Sequence, residues 1–280
     1  MRTGHTYIAS SLVEPDGRTL QPSRTRLVRD LVAAEWLKIR SLRSTYYLLA
    51  VLPLPVVLGG GLALSAASSW ERLSEQGRSG FDPSAAGGTA LQVTYLVLAA
   101  FGILAITSES TTGMLRQTLT AVPQRRTLLM AKALVVGVIS LIAGQLSSFA
   151  VFFVSQTVLG TRGIGVTLAS PYALASVLGA GFSCMVMGLV GLGVGTVLRS
   201  SAGGFIAIFA LLFVVPALIS LLPDPWNERI GSLTLPMASN LLPGRIPDAW
   251  LPPAGAALVL LGYIALALAA ASAAISRRDP

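Results

Sequence analysis

Charged residues are scarce in this chain. Only 11% of its 280 residues are Asp, Glu, Lys or Arg, whereas about 25% is usual for a soluble domain. Apolar residues make up 53% of the chain, and its mean hydropathy is +0.72. Long stretches carry no charge, and the basic residues gather between them. The composition therefore predicts a membrane protein rather than a soluble domain.

Cysteine and histidine each occur once. Cys184 lies in an apolar run, and His5 lies in a polar N-terminal stretch. Zinc sites and Cys–His nucleophile pairs need more of these residues than the chain has. The sequence also lacks a Gly-rich loop ending in Lys-Ser or Lys-Thr, the motif with which many ATPases hold phosphates. We therefore expect no catalytic residues, no metal and no cofactor on this chain.

Six apolar stretches are long enough to cross a bilayer, which takes about 20 helical residues. They are predicted at 46–67, 91–107, 133–159, 172–198, 203–222 and 254–275. The expected organisation is a disordered cytoplasmic tail over 1–23, an amphipathic cytoplasmic helix over 24–45, a six-helix transmembrane domain over 46–275 and a cytoplasmic tail over 276–280. The predicted fold class is an all-α membrane protein.

The basic residues predict the orientation of these spans. Fifteen of the 20 fall in the N-terminal segment, the loop between the second and third spans, the turn after the fourth span and the C-terminus. The acidic residues divide evenly, six to each side. Because basic loops stay in the cytoplasm, both termini are expected there. The protein itself is expected in the inner or plasma membrane. Basic residues that flank spans indicate attraction to anionic lipids rather than to nucleic acid.

The segment before the first span has a helical pattern. Apolar residues are expected near one face of it, at Leu27, Leu31, Ala34, Trp36 and Ile39. This favours an amphipathic helix lying on the cytoplasmic surface of the membrane. The alternative is a basic anchor without a defined helix.

Proline and small residues predict further features of the bundle. Pro53 and Pro55 should kink or break the first span because proline has no amide donor. Seven prolines in 223–253 exclude a continuous helix there, although 233–242 is apolar enough to dip into the outer leaflet or to form a packed loop. Small residues at four-residue spacing favour close helix packing over a substrate path; they are Ser140, Gly144, Ser148, Gly191 and Gly195.

The loop between the second and third spans reads TSESTTGMLRQTLTAVPQRRTLLMAK. Its centre predicts a short surface helix, ended by Pro123, with an apolar face at Met114, Leu115, Thr118 and Leu119. Exposed apolar residues flanked by charge are typical of a surface that docks a partner protein. An interfacial helix that rests on lipid is the alternative.

Two of these segments resemble the permease subunits of type-2 class ABC transporters. They are AEWLKIRSLRSTYYLL before the first span and the loop just described, with its acidic residue, glycine, Thr-Leu pair, proline and basic residues. The run VLRSS at 197–201 is similar to the inner turn of that family. The resemblance implies six helices, a dimeric unit of two copies or two different permeases, and a separate ABC ATPase subunit.

The resemblance also implies a role for the loop as a coupling helix. The residues that would transmit ATPase motion are Glu109, Gly113, Arg116, Thr118, Leu119, Pro123, Arg125 and Arg126. The function expected is the permease subunit of an ATP-driven exporter. A non-transporting scaffold or sensor accessory is an alternative. An ion-coupled secondary carrier is a weaker one, because no ionisable residue lies near the centre of a predicted span.

Overall fold

The computed structural model describes residues 24–41, 43–70, 72–79, 81–83, 85–111, 125–246 and 248–277. Across these ranges the chain is helical and has no β-strand. Six helices are long and apolar enough to span a membrane, at Tyr46–Trp70, Gly87–Ser108, Arg126–Gly160, Ala173–Leu198, Ser201–Ile219 and Pro253–Ser276. The predicted all-helical, six-span fold is confirmed.

The N-terminal part consists of three consecutive helices. They are Arg24–Ser41, which we call the N-terminal helix, then Arg43–Val51 and Pro53–Trp70. The first span is interrupted at Leu52, directly before Pro53. Proline removes an amide donor and disfavours the helical conformation of the residue before it. The predicted break in the first span is therefore confirmed.

The other long helices are Ala85–Thr111, Arg125–Gly160, Ala173–Leu198 and Pro253–Arg277. The third spanning helix begins at Arg125, two turns before the apolar stretch that was predicted to start at 133. Short helices lie at Glu75–Ser79, Trp226–Gly231 and Leu235–Leu241. The proline-rich stretch 223–253 thus contains two short helices and no continuous one, as expected.

The fifth span changes its helical type part-way. It is α-helical over Ser201–Phe209, forms a π-helix over Ala210–Val214 and returns to α-helix over Val215–Ile219. The Val215 amide donates to the carbonyl of Ala210, five residues earlier. Pro216 has no amide to give the carbonyl four residues before it, which disfavours the α-helical pattern at this point.

The fourth span lies at the centre of the bundle, against the second, third and sixth spans. Its glycines let neighbouring backbones approach closely. A Cβ on Gly191 would overlap the carbonyl of Ala99, and a Cβ on Gly144 of the third span would overlap the side chain of Cys184. The predicted use of small residues for close helix packing is therefore confirmed at these positions.

The short helix Leu235–Leu241 packs into this core. Leu235 and Ala238 are fully buried beside Met187 of the fourth span and Leu260 of the sixth. The Tyr263 hydroxyl donates to the carbonyl of Leu233 at 3.2 Å and ties the segment to the sixth span. The helix is thus part of the bundle rather than a loose connection.

Candidate functional site at the basic end of the bundle

We call one end of the bundle the basic end. It carries the N-terminal helix, the loop between the second and third spans, the Arg199 turn and the C-terminus. Most of the predicted coupling loop, including Gly113, Arg116, Thr118, Leu119 and Pro123, lies outside the described residues. Glu109 belongs to the last turn of helix Ala85–Thr111, and Arg125 and Arg126 begin the next helix, where the Arg126 side chain is exposed. Of these eight residues, Arg126 alone has a side chain within the described part of the structure.

The N-terminal helix packs on the bundle through one narrow face. Leu31, Glu35 and Ile39 lie one helical turn apart and are all buried. Leu31 packs on the start of the third-span helix, and Ile39 packs on residues of the second, third and fourth spans. Ala34 and Trp36 are exposed instead. Their predicted place on the same face is wrong, because at about 100° per residue each of them lies roughly 100° around the helix from the middle of the arc that Leu31, Glu35 and Ile39 occupy.

A charged cluster lies at the centre of this face. Glu35 is 1% exposed and Lys132, on the third-span helix, is 2% exposed. The Lys132 ammonium donates one hydrogen bond to Glu35 Oε2 and a second one, of 3.2 Å, to the carbonyl of Ala105 on the second span. Lys38 Nζ donates to Glu35 Oε1 at 2.8 Å. The cluster therefore joins three elements through one carboxylate and one ammonium.

The cluster keeps Glu35 ionised. Burial raises the pKa of the Glu35 carboxyl, but the charges and hydrogen bonds of Lys132 and Lys38 oppose burial and leave its pKa below the ordinary value of 4.5. A buried charge is tolerated only when it is paired and hydrogen-bonded, and both carboxylate oxygens meet that requirement here. The carboxylate is thus arranged to hold an ion pair.

The local sequence pattern did not predict this cluster. Glu35 and Lys132 are 97 residues apart in the chain, and Lys132 was assigned to the loop. One signal was present: Glu35 lies four residues from both Leu31 and Ile39, on an apolar face of a helix whose other charges are mostly basic. An acidic residue in that position indicates a buried partner.

The turn between the fourth and fifth spans also lies at the basic end. Arg199 has a left-handed backbone, with φ of 52°, and its amide donates to the carbonyl of Gly195 at 2.9 Å. The Ser200 side chain then accepts the amide of Gly203 at 3.2 Å and caps the fifth span. This tight turn holds the two spans side by side.

The opposite end of the bundle contains a small cavity of about 70 Å³ with polar groups in its wall. Its lining includes Tyr95, Ser148, Gln156 and Arg245. The Arg245 guanidinium donates to Asp82 Oδ2 at 2.9 Å, which joins the segment before the sixth span to the start of the second. A second, apolar groove of about 630 Å³ runs between the first and third spans. The groove is large enough to receive a small molecule, whereas the cavity at the opposite end is not.

A comparison with protein families identifies the architecture. A family model described as ABC-2 family transporter protein matches residues 31–222, which is more than half of the chain. The chain belongs to the ABC-2 transporter family. This ABC-2 permease is a multi-pass membrane protein and a transport component, and the resemblance seen in its sequence is confirmed. The match includes the Glu35–Lys132 cluster and five of the six spans, and it ends before the proline-rich segment. No curated protein matches the chain.

Proposed function

We propose that this ABC-2 permease is the membrane-spanning subunit of an ATP-driven exporter and that a separate ABC ATPase subunit docks on its basic end. The family match is the observation that carries the proposal. The described structure supports it because the N-terminal helix and the helices leading into the loop are held together at this end by a buried ion pair. The 280 residues contain no phosphate-binding loop of the Gly-rich type, so the ATPase is expected on another chain.

The proposed mechanism needs no catalytic residue on the permease. ATP binding would close two ATPase subunits and move the loop at 112–124, which would act as a lever on the second and third spans. Transport then requires only that the cargo bind the two bundle states with different affinity. The residues proposed to receive this motion are Glu109, Gly113, Arg116, Thr118, Leu119, Pro123, Arg125 and Arg126.

A second permease, either another copy or a related chain, is part of the proposal. In the single chain the most apolar part of the fourth span is 72% buried, whereas that of the fifth is 17% buried and that of the sixth 11%. Spans with so little buried surface face either lipid or another subunit. Paired permeases would place the exposed fifth and sixth spans where a second bundle can cover part of them.

The cargo class is proposed from the cavities. The groove between the first and third spans is lined by apolar side chains such as Val56, Ile142 and Leu146. The cavity at the opposite end is lined by several hydroxyl and amide groups. An amphipathic cargo, with an apolar body and a polar head, suits this combination of surfaces. Both termini are proposed to lie in the cytoplasm because the basic residues concentrate at their end.

Affinity purification from native membranes tests the ATPase partner. The permease is isolated in mild detergent after crosslinking in intact cells, and the bound proteins are identified by mass spectrometry. Recovery of an ABC ATPase in near-equal amount supports the exporter. Absence of any ATPase contradicts it and favours the alternative, a membrane scaffold that recruits a different protein.

Charge reversal tests the basic end. We expect Arg125→Glu with Arg126→Glu to lower ATPase recovery at least about tenfold, because the two substitutions reverse the charge that the permease presents to the ATPase. The matched control is Arg162→Glu with Arg229→Glu, which makes the same charge change at the opposite end. Basic residues also orient spans, so a loss of docking must be separated from an inverted topology. The double variant Arg125→Gln with Arg126→Gln removes the charge without reversing it, and a protease-accessibility assay reports the topology of each variant. Unchanged recovery with the double Glu variant would remove these arginines from the interface.

A further inference from the structure

Glu35 and Lys132 form a junction whose position is informative. Lys132 lies seven residues after the start of its helix at Arg125, and Ala105 lies six residues before the end of its helix at Thr111. At 1.5 Å per residue the junction is therefore about 10 Å from the base of the 112–124 loop. Any displacement of that loop reaches the junction through two helical ends of about two turns each.

We propose that Glu35 and Lys132 are positioning residues that make the N-terminal helix and the helices of the second and third spans one rigid body through the ATPase cycle. This inference deepens the proposed function and rests on it. The N-terminal helix is followed immediately by helix Arg43–Val51, the first part of the first span. Leu48 of that helix packs against the core cluster that contains Ile39, so motion of the loop is expected to reach the first span as far as the break at Leu52.

The chemistry of the junction favours a positioning role over a purely stabilising one. Its surroundings are apolar: Leu31, Leu128 and Ala131 pack beside it. A buried ion pair loses much of its attraction to desolvation, and well-packed apolar side chains often replace such pairs without loss of stability. An ion pair has a requirement that apolar packing lacks, because both charges must meet in one arrangement. Rotation of the N-terminal helix by one residue, about 100°, would turn Glu35 off the buried face and leave the buried Lys132 ammonium without its carboxylate partner.

The Ala105 carbonyl adds a third fixed point. Lys132 has one ammonium that serves Glu35 and Ala105 together. The N-terminal helix cannot slide along the third-span helix without breaking one bond, and the second span cannot move away without breaking the other. The three elements are therefore expected to move together when the loop is displaced.

The experiment measures a distance and needs no knowledge of the cargo. The permease is purified with its ATPase subunit in lipid nanodiscs, with spin labels on cysteines at Leu37 of the N-terminal helix and Met130 of the third-span helix, both exposed. The inter-label distance is measured without nucleotide and after trapping with ATP and vanadate. In the otherwise native protein we expect one narrow distribution that is the same in both states.

The test variant replaces the ion pair with apolar residues of similar length, Glu35→Met with Lys132→Met. We expect it to fold and to remain bound to the ATPase. Its label distance should change by about 5 Å, close to one helical turn, on nucleotide trapping. The matched control is Arg29→Met with Asp30→Met, which removes an exposed ion pair from the same helix and should leave the distribution unchanged.

Three results overturn the proposal. The first is a label distance in the Met–Met variant that nucleotide leaves unchanged. The second is a distance in the native protein that already shifts with nucleotide. The third is failure of the Met–Met variant to fold while Glu35→Asp and Lys132→Arg still fold, since the pair would then serve stability alone. Failure of the exporter proposal is visible separately, because the native permease would then purify without an ATPase.

Discussion

Replacing Lys132 with methionine tests how strongly the buried carboxylate depends on its partner. Methionine keeps the length of the side chain and its apolar stem, so the change removes the charge with little loss of volume. Glu35 stays 1% exposed and retains only Lys38, whose side chain is 26% exposed. Removing one member of a buried pair costs about 3–5 kcal/mol. The remaining Lys38 bond at 2.8 Å places the expected loss near 3 kcal/mol, the lower end of that range.

This loss converts to a shift in thermal unfolding. An unfolding entropy of about 2.1 cal/mol/K per residue, taken over the 280 residues, gives roughly 5 °C for 3 kcal/mol. The assay is thermal unfolding of the purified permease in detergent, followed by loss of helical circular dichroism. Lys38→Met is the matched control: it removes the other ammonium from the same carboxylate, but because that group is partly exposed we expect a loss of about 1 kcal/mol or less. Equal melting temperatures for Lys132→Met and the native protein would show that Glu35 is solvated and refute the buried-pair description.

Three further predictions follow from the structure. Gly191→Ala should lower stability by about 2 kcal/mol, because the added Cβ overlaps the carbonyl of Ala99. Gly262→Ala is the control and should not lower stability, because its Cβ meets no other atom within 4 Å. A similar loss in both variants would contradict the close approach at Gly191. The stability difference between the native protein and Glu35→Gln should be constant above the ordinary carboxyl pKa of 4.5, and it should shrink as the pH falls through the lower pKa of folded Glu35. Thermal unfolding of both proteins between about pH 3 and pH 8 measures this difference. Asp82→Asn should change the melting temperature by less than about 2 °C, because its ion pair with Arg245 is partly exposed; a larger shift would mean that this pair is shielded from solvent.

Much of the fold was predictable because its causes are local. A run of apolar residues of sufficient length specifies a spanning helix whatever its neighbours are, and the sixth span, expected at 254–275, is the helix Pro253–Arg277. The break before Pro53 follows from proline chemistry alone. The start of the third-span helix was placed too late because hydropathy detects the apolar stretch and not the polar turns that extend the helix beyond it.

The buried ion pair was not predictable in the same way. Glu35 and Lys132 become neighbours only after the N-terminal helix has packed on the third-span helix, and no local rule gives that contact. The sequence pattern predicted a basic surface helix and assigned no role to Glu35. The structure places Glu35 on the buried face, because it is aligned with Leu31 and Ile39. The predicted coupling residues stay a prediction, since most of them lie outside the described ranges.

The π-helix in the fifth span divides that helix into two halves with different directions of contact. One extra residue per turn displaces everything after it by roughly 100° around the helix axis. Before the π-helix, Ile208 is buried in the core cluster that contains Ile103 of the second span. After it, Val215 and Leu218 are exposed. Deleting one residue from 210–214 would restore a continuous α-helix, but it would also turn these side chains toward a different side. One span can thus face its own bundle at the basic end and another surface, lipid or protein, at the opposite end, and this division depends on a single additional residue.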